Sequence, residues 1–205
     1  RQIGLAAHMY CYTNTLTGAD DAFLFSDTRT FADGASGTRW LLAIYFALIK
    51  TIRMPWLLGV MTLLLYGVAA WLVCETLSIT SSAGIILVSG LMVTSPTMIS
   101  SNFYLTSAHM YAGALLFACL AAYAYKKWRH SWIAAFVFML LSEGSYAAYI
   151  SMTLCLFFLC SLKELLFDQE ANDKHNLARH FGMLFLFGGS MVATTVICNL
   201  PVSYT

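Results

Sequence analysis

The sequence predicts an all-α, polytopic transmembrane helical bundle, and three observations predict it. Hydrophobic residues fill 60% of the 205 positions and charged residues only 10%, against roughly 25% charged in an average soluble domain. A chain of this length has too small an interior to hide so much apolar surface from water. Several apolar runs also reach the roughly 17–25 residues that a membrane-crossing helix needs. Third, 13 Gly, 3 Pro and 6 scattered Cys suit neither a collagen-like chain nor a disulfide framework. The apolar content excludes a disordered chain as well. The net charge of +1 gives no argument for nucleic acid as a partner. The densest basic cluster, Lys126, Lys127, Arg129 and His130, is explained by membrane topology. The cysteines form no CxxC pair and sit mostly in apolar runs, as small packing residues.

The elements follow in order, within a single transmembrane domain over residues 1–205. The segment 1–12 reads as the outer end of a membrane helix whose beginning is absent, with no readable signal peptide. The chain stops just after another apolar span, and so reads as a piece of a longer protein. Residues 13–38 are polar and read as an outer acidic loop. Residues 39–53 follow, with an apolar core, Trp40–Ile49, that is too short to span. They read as a helix lying in the membrane interface, or else as part of a longer, kinked insertion. Leu57–Leu77 is a clear span behind Met54-Pro55-Trp56, where Pro opens a helix and Trp suits the interface. Ala83–Ser100, interrupted by Ser95-Pro96, and Leu105–Tyr125, closed by the basic cluster, are further spans. Phe181–Leu200 is the last.

Between them, Trp132–Leu166 poses a length problem. It begins after one basic cluster and runs into Lys163 and a polar segment with Lys174 and Arg179; if both polar segments are cytoplasmic, the chain must cross twice. About 33 residues at 1.5 Å each give roughly 50 Å, whereas two crossings need roughly 60 Å. The expected solution is two shortened helices, Trp132–Leu141 and Tyr146–Leu162, with a turn at Ser142-Glu-Gly-Ser145 dipping into the bilayer. Non-helical backbone at that depth needs protein or a water-filled cavity around it.

Positive charges orient the bundle. Lys126, Lys127, Arg129, Lys163, Lys174 and Arg179 gather on one side, and Arg29, Arg39, Lys50 and Arg53 on the other. The larger set marks the inner face and leaves 13–53 outside. That outer loop concentrates Asp20, Asp21, Asp27 and Asp33, four of the ten acids.

The residues that can carry chemistry lie mainly there. Asp20 and Asp21 sit next to an apolar segment, at the outer surface. An aspartate so placed can act as general base on a hydroxyl, and lower dielectric and a like-charged neighbour favour its protonated form. The alternative is a helix N-cap or a solvated loop. Arg39 precedes Trp40 at headgroup depth, where its fork fits phosphate oxygens bidentately, or simply anchors a lipid phosphate. Glu143 in an apolar run is either an exposed loop acid or a cavity residue. His109 lies near an outer helix end and is either packed or available to a ligand. No Walker sequence, GxGxxG, HExxH or GxSxG occurs, and the loop acids match no metal signature.

The order "TGADD, then SGTRWLLAI, then MPWLLGVMTLLLYGVAAWLV" resembles the type II Gtr glucosyltransferases of bacteria. LSEGSYAAYIS resembles that family's turn between two short helices. The matches extend over most of the chain. Two positions depart from the family pattern: Thr38 stands between Gly37 and Arg39, and Ala147 follows Tyr146 where the family typically carries Gln. The resemblance implies the GT-C class of membrane glycosyltransferases. It also implies a multi-pass protein of the bacterial inner membrane whose active side faces outward. The reaction implied moves a sugar, glucose, from a polyprenyl-phosphate carrier to a hydroxyl of a cell-surface polysaccharide, with no cofactor. Under it Asp20 or Asp21 is the general base and Arg39 contacts the carrier phosphate; Tyr146, Glu143 and His109 join the substrate-binding set. The rival reading is a transporter or flippase fragment for a lipid-linked or small solute, for which Glu143 beside a helix break is the main argument. A third is a membrane assembly subunit without chemistry.

Overall fold

The computed structural model describes residues 8–10, 13, 39–48, 54–102, 105–127, 132–167 and 174–199. Every element among them is helical: α1 (Trp40–Leu48), α2 (Pro55–Leu77), α3 (Ser82–Val93), α4 (Pro96–Asn102), α5 (Leu105–Lys127), α6 (Trp132–Tyr146), a single 3-10 turn (Ala147–Tyr149), α7 (Ile150–Phe167) and α8 (Lys174–Asn199). Among the described residues, five segments are long and apolar enough to cross a membrane: Trp56–Leu77, Ser82–Ser100, Ser107–Lys127, Trp132–Glu164 and Phe181–Asn199. The protein is an all-α polytopic bundle.

Local chemistry explains where the helices begin and end. α2 opens on Pro55, whose missing N–H is not needed in a first turn. It closes at Ser78 in the left-handed region (φ 54°), with the Ile79 N–H returning to the Cys74 carbonyl at 2.8 Å. Ser81 caps α3 by accepting from the Gly84 N–H at 3.1 Å. Pro96 separates α3 from α4 because it cannot donate to the preceding turn. The threonines inside α2 satisfy their own hydroxyls: Thr62 donates to the Leu58 carbonyl at 2.8 Å and Thr76 to that of Leu72 at 2.7 Å.

α5 is the central helix. Ala108, Ala112, Ala114, Ala118, Cys119, Ala121 and Ala122 are all fully buried along it. Side chains this small let neighbouring backbones approach closely, which is how helices associate without a hydrophobic drive between them. α2 and α6 pack most extensively on α5, and α7 joins them. Conversely, Ile86, Leu87, Phe158, Phe185 and Val192 point outward and are largely exposed. Such positions suit contact with acyl chains. The described cysteines, Cys74, Cys119, Cys155, Cys160 and Cys198, are free.

The two ends of the bundle differ in charge. At one end Lys126 Nζ donates to the Thr76 carbonyl at 2.6 Å, and Lys163 Nζ to that of Leu77 at 2.8 Å. These carbonyls belong to the last turn of α2, which has no intrahelical donors of its own. The lysines therefore cap α2 and tie α5 and α7 to it. His109 lies 17 residues earlier on α5, about 25 Å away by helix rise. The far end thus carries the start of α5, the end of α6 and α1.

The region between α6 and α7 differs from the sequence expectation. Helix α6 does not stop at Leu141 but runs through Ser142-Glu-Gly-Ser145 to Tyr146, and the turn falls on 147–149. Each residue that suggested a break has a partner instead. Ser142 Oγ donates to the Ala114 carbonyl at 2.9 Å and Ser145 Oγ to that of Leu141 at 2.9 Å. Glu143 and Gly144 are engaged by α8 and α1, as described next. The expected interfacial helix corresponds to α1, which packs on α6 with Leu42 and Ala43 buried. Residues 49–53 and the acidic loop 14–38 lie outside the described residues.

Candidate functional site

The end of α6 organises the far end of the bundle, because three neighbouring residues hold three different things. Glu143 is 2% exposed. Its Oε1 accepts from Ser190 Oγ at 2.7 Å and its Oε2 from Thr194 Oγ1 at 2.6 Å. Both hydroxyls lie on α8, one turn apart, so the carboxylate clasps α6 to α8. A carboxylate at this depth is tolerable only with such donors.

Gly144 receives the Trp40 indole. A Cβ built at Gly144 would lie 2.4 Å from Trp40 Cε2 and 2.5 Å from its Nε1, so only glycine leaves room for the ring. Cys198, near the end of α8, lies beside the Trp40 backbone. Trp40 thus packs its indole on Gly144 of α6, with α8 beside its backbone. Its indole Nε1 is buried without a hydrogen-bond partner.

Tyr146 receives Arg39. The guanidinium carbon stands 4.7 Å from the centre of the Tyr146 ring, a cation–π contact of the order of 0.5–2 kcal/mol. The ring is itself held by Tyr111, with centroids 4.8 Å apart, and by Tyr149 at 5.7 Å. The Tyr149 hydroxyl shares a 3.3 Å hydrogen bond with that of Tyr66, and both residues are buried. A row of aromatic side chains therefore runs from the Arg39 cation into the core of the bundle.

His109 lies apart from this row. It is buried, its Nε2 shares a hydrogen bond with the Tyr45 hydroxyl on α1, and the two rings are 5.0 Å apart. Its Nδ1 has no partner. Buried polar atoms are usually satisfied. Trp40 Nε1 and His109 Nδ1 are exceptions among the described side chains, and both are enclosed by the protein.

Of the residues singled out in the sequence, Arg39 and Tyr146 are in direct contact, and Glu143 and His109 lie at the same end of the bundle. Asp20 and Asp21 lie outside the described residues. Glu143 is neither a loop acid nor unpartnered: it sits inside α6 with both oxygens engaged. Sequence reading missed Trp40 as the partner of Gly144, the Tyr66, Tyr111 and Tyr149 row, and the Ser190 and Thr194 donors. The last pair had a readable signal, two hydroxyls at i and i+4 on an apolar helix, facing one acid elsewhere in the chain. Among the described residues no group of three His, Cys, Asp or Glu is placed to hold a metal ion.

Chemically, this end offers a permanent cation with a planar fork, fixed over an aromatic face beside a buried N–H donor. Guanidinium recognises phosphate bidentately. The comparisons with known proteins bear on what uses it. A family model described as Glucosyl transferase GtrII matches residues 9–202. No curated protein and no solved structure matches the chain. With the match running through nearly every helix described above, the chain belongs to the GtrII glucosyl transferase family, as a membrane-spanning glycosyltransferase.

Proposed function

We propose that the protein moves a glucosyl group from a polyprenyl-phosphate carrier to a hydroxyl of a cell-surface polysaccharide. The reaction takes place on the outer side of the bacterial inner membrane, in an active centre of the GT-C kind. The observation that carries this reading is Arg39, seated on Tyr146 at the end of the bundle opposite the capping lysines. A cation fixed at a membrane face suits a phosphate that is itself fixed there by its lipid tail.

The acceptor hydroxyl oxygen attacks the anomeric carbon of the donor sugar. The carboxylate of Asp20 or Asp21 takes the hydroxyl proton. The bond between the anomeric carbon and the phosphate oxygen breaks, and its electron pair stays on the phosphate. Arg39 steadies that growing negative charge. Glu143 gives no support to a transport path, since α8 engages both its oxygens.

Two measurements test this reading. Arg39→Ala is expected to lower transfer by about 10²–10³-fold, the size of effect seen when one charge-stabilising donor is lost. Arg39→Lys, which keeps the charge but loses the fork, restores only part of it. Unchanged transfer by Arg39→Ala in membrane preparations would remove the phosphate from this site. Orientation is tested separately with Asp27→Cys in a chain otherwise lacking cysteine. An impermeant maleimide is expected to label it in intact cells. Labelling only after lysis would put the acidic loop on the cytoplasmic side and overturn the outward-facing reaction.

A further inference from the structure

The Glu143 clasp lies one turn from the place where Trp40 enters. On α6, Glu143 directly precedes Gly144, which receives the indole. On α8, Thr194 precedes by four residues Cys198, which lies beside the Trp40 backbone. The carboxylate that joins these two helices therefore lies within about 6 Å, along their axes, of the residues against Trp40. Trp40 is the neighbour of Arg39, and Arg39 rests on Tyr146, three residues beyond Glu143 on the same helix.

We infer that Glu143 is a positioning residue: by gripping Ser190 and Thr194 it fixes the slot for Trp40 and so the location of the Arg39 cation, without touching substrate itself. Three observations bear on this. The carboxylate is almost fully enclosed and both oxygens are committed to hydroxyls of the protein. The slot has no slack, because a single added methyl at Gly144 would overlap the indole. A buried carboxyl group with both hydroxyl partners in place favours one arrangement of two helices over sliding alternatives, whereas two apolar faces in lipid would not select a register. That this matters for sugar transfer rests on the reading of Arg39 as the carrier-phosphate contact.

The test separates the clasp from that reading by using two readouts on the full-length protein in membranes. The first is structural. In a chain whose other cysteines are replaced by alanine, the Cys198 thiol lies under the Trp40 backbone and is expected to react slowly with N-ethylmaleimide. Glu143→Gln removes the charge at constant shape, and Ser190→Ala with Thr194→Val removes the donors instead. Both variants are expected to raise the labelling rate of Cys198 at least tenfold, while Arg39→Ala leaves it unchanged. Labelling that stays slow in both clasp variants overturns the inference, whatever Arg39 does.

The second readout is kinetic. Glu143→Gln is expected to raise KM for the lipid-linked donor about tenfold with kcat changed less than threefold. In an Arg39→Ala background it is expected to add no further increase, because it acts through that residue. If the two increases multiply, Glu143 contacts the donor directly and the positioning role is overturned. If Cys198 labelling accelerates as expected while Arg39→Ala leaves donor KM untouched, the clasp stands and the phosphate reading of Arg39 fails.

Discussion

Asp20→Asn and Asp21→Asn are expected to produce the largest loss of activity of any single changes in the chain. One of the two should reduce glycan modification by about 10²–10⁴-fold, the usual contribution of a general base. The amide keeps the size of the carboxylate and removes only its capacity to take a proton, so expression and membrane insertion are expected to stay at the wild-type level. The other variant should show a smaller defect, through loss of a like-charged neighbour that favours the protonated form of the base. The measurement is modification of surface polysaccharide in cells carrying the full-length variant, with membrane abundance scored in parallel. Normal modification by both variants would remove the outer carboxylates from the reaction and leave the base to be sought elsewhere.

Gly144→Ala is expected to have a large effect on both transfer and stability, although the change is one methyl group. In an ordinary helix the substitution stabilises by up to about 1 kcal/mol. At this position the new Cβ would stand 2.4 Å from the indole, and a rigid bicyclic ring cannot swing aside as a flexible side-chain end can. Overpacking of this kind costs about 1–3 kcal/mol. Trp40 must leave its slot or α1 must lift, and either movement carries Arg39 with it. Transfer should fall at least tenfold, mainly through donor KM, and thermal stability in detergent should drop. Gly67→Ala provides the comparison: it lies in α2 with nothing within 4 Å of its would-be Cβ, and should be neutral or slightly stabilising. Equal behaviour of the two variants would show that the Trp40 seat is unimportant.

The contrast between these positions shows what was legible in the sequence. The bundle was, because apolar length is a local property: Leu57–Leu77 announces a span without reference to any other residue. The Ser95-Pro96 interruption was legible for the same reason. The continuation of α6 through Ser142-Glu-Gly-Ser145 was not. Polar residues and glycine in an apolar run are turn signals when read alone. They become helical only because Ala114, Ser190, Thr194 and Trp40, all distant in sequence, supply their partners. The site was legible to the same degree. Arg39, Glu143 and His109 stood out by type against their surroundings, and Tyr146 entered through the family resemblance. Their division into a cation, its aromatic support and a clasp depended on contacts between α1, α5, α6 and α8. Trp40 gave no warning, since an interfacial tryptophan and a wedge between helices look alike in a sequence.

The alanine surface of the central helix bears on where the proposed donor would lie. Among the described residues, side chains of one carbon draw the backbones together, and the buried positions from Ala108 to Ala124 continue almost to the lysine end. If the donor is a polyprenyl phosphate, as proposed, its tail would find no place beside this helix and would lie among the lipids around the protein. Only its charged head would bend inward, and the donor would load and leave sideways.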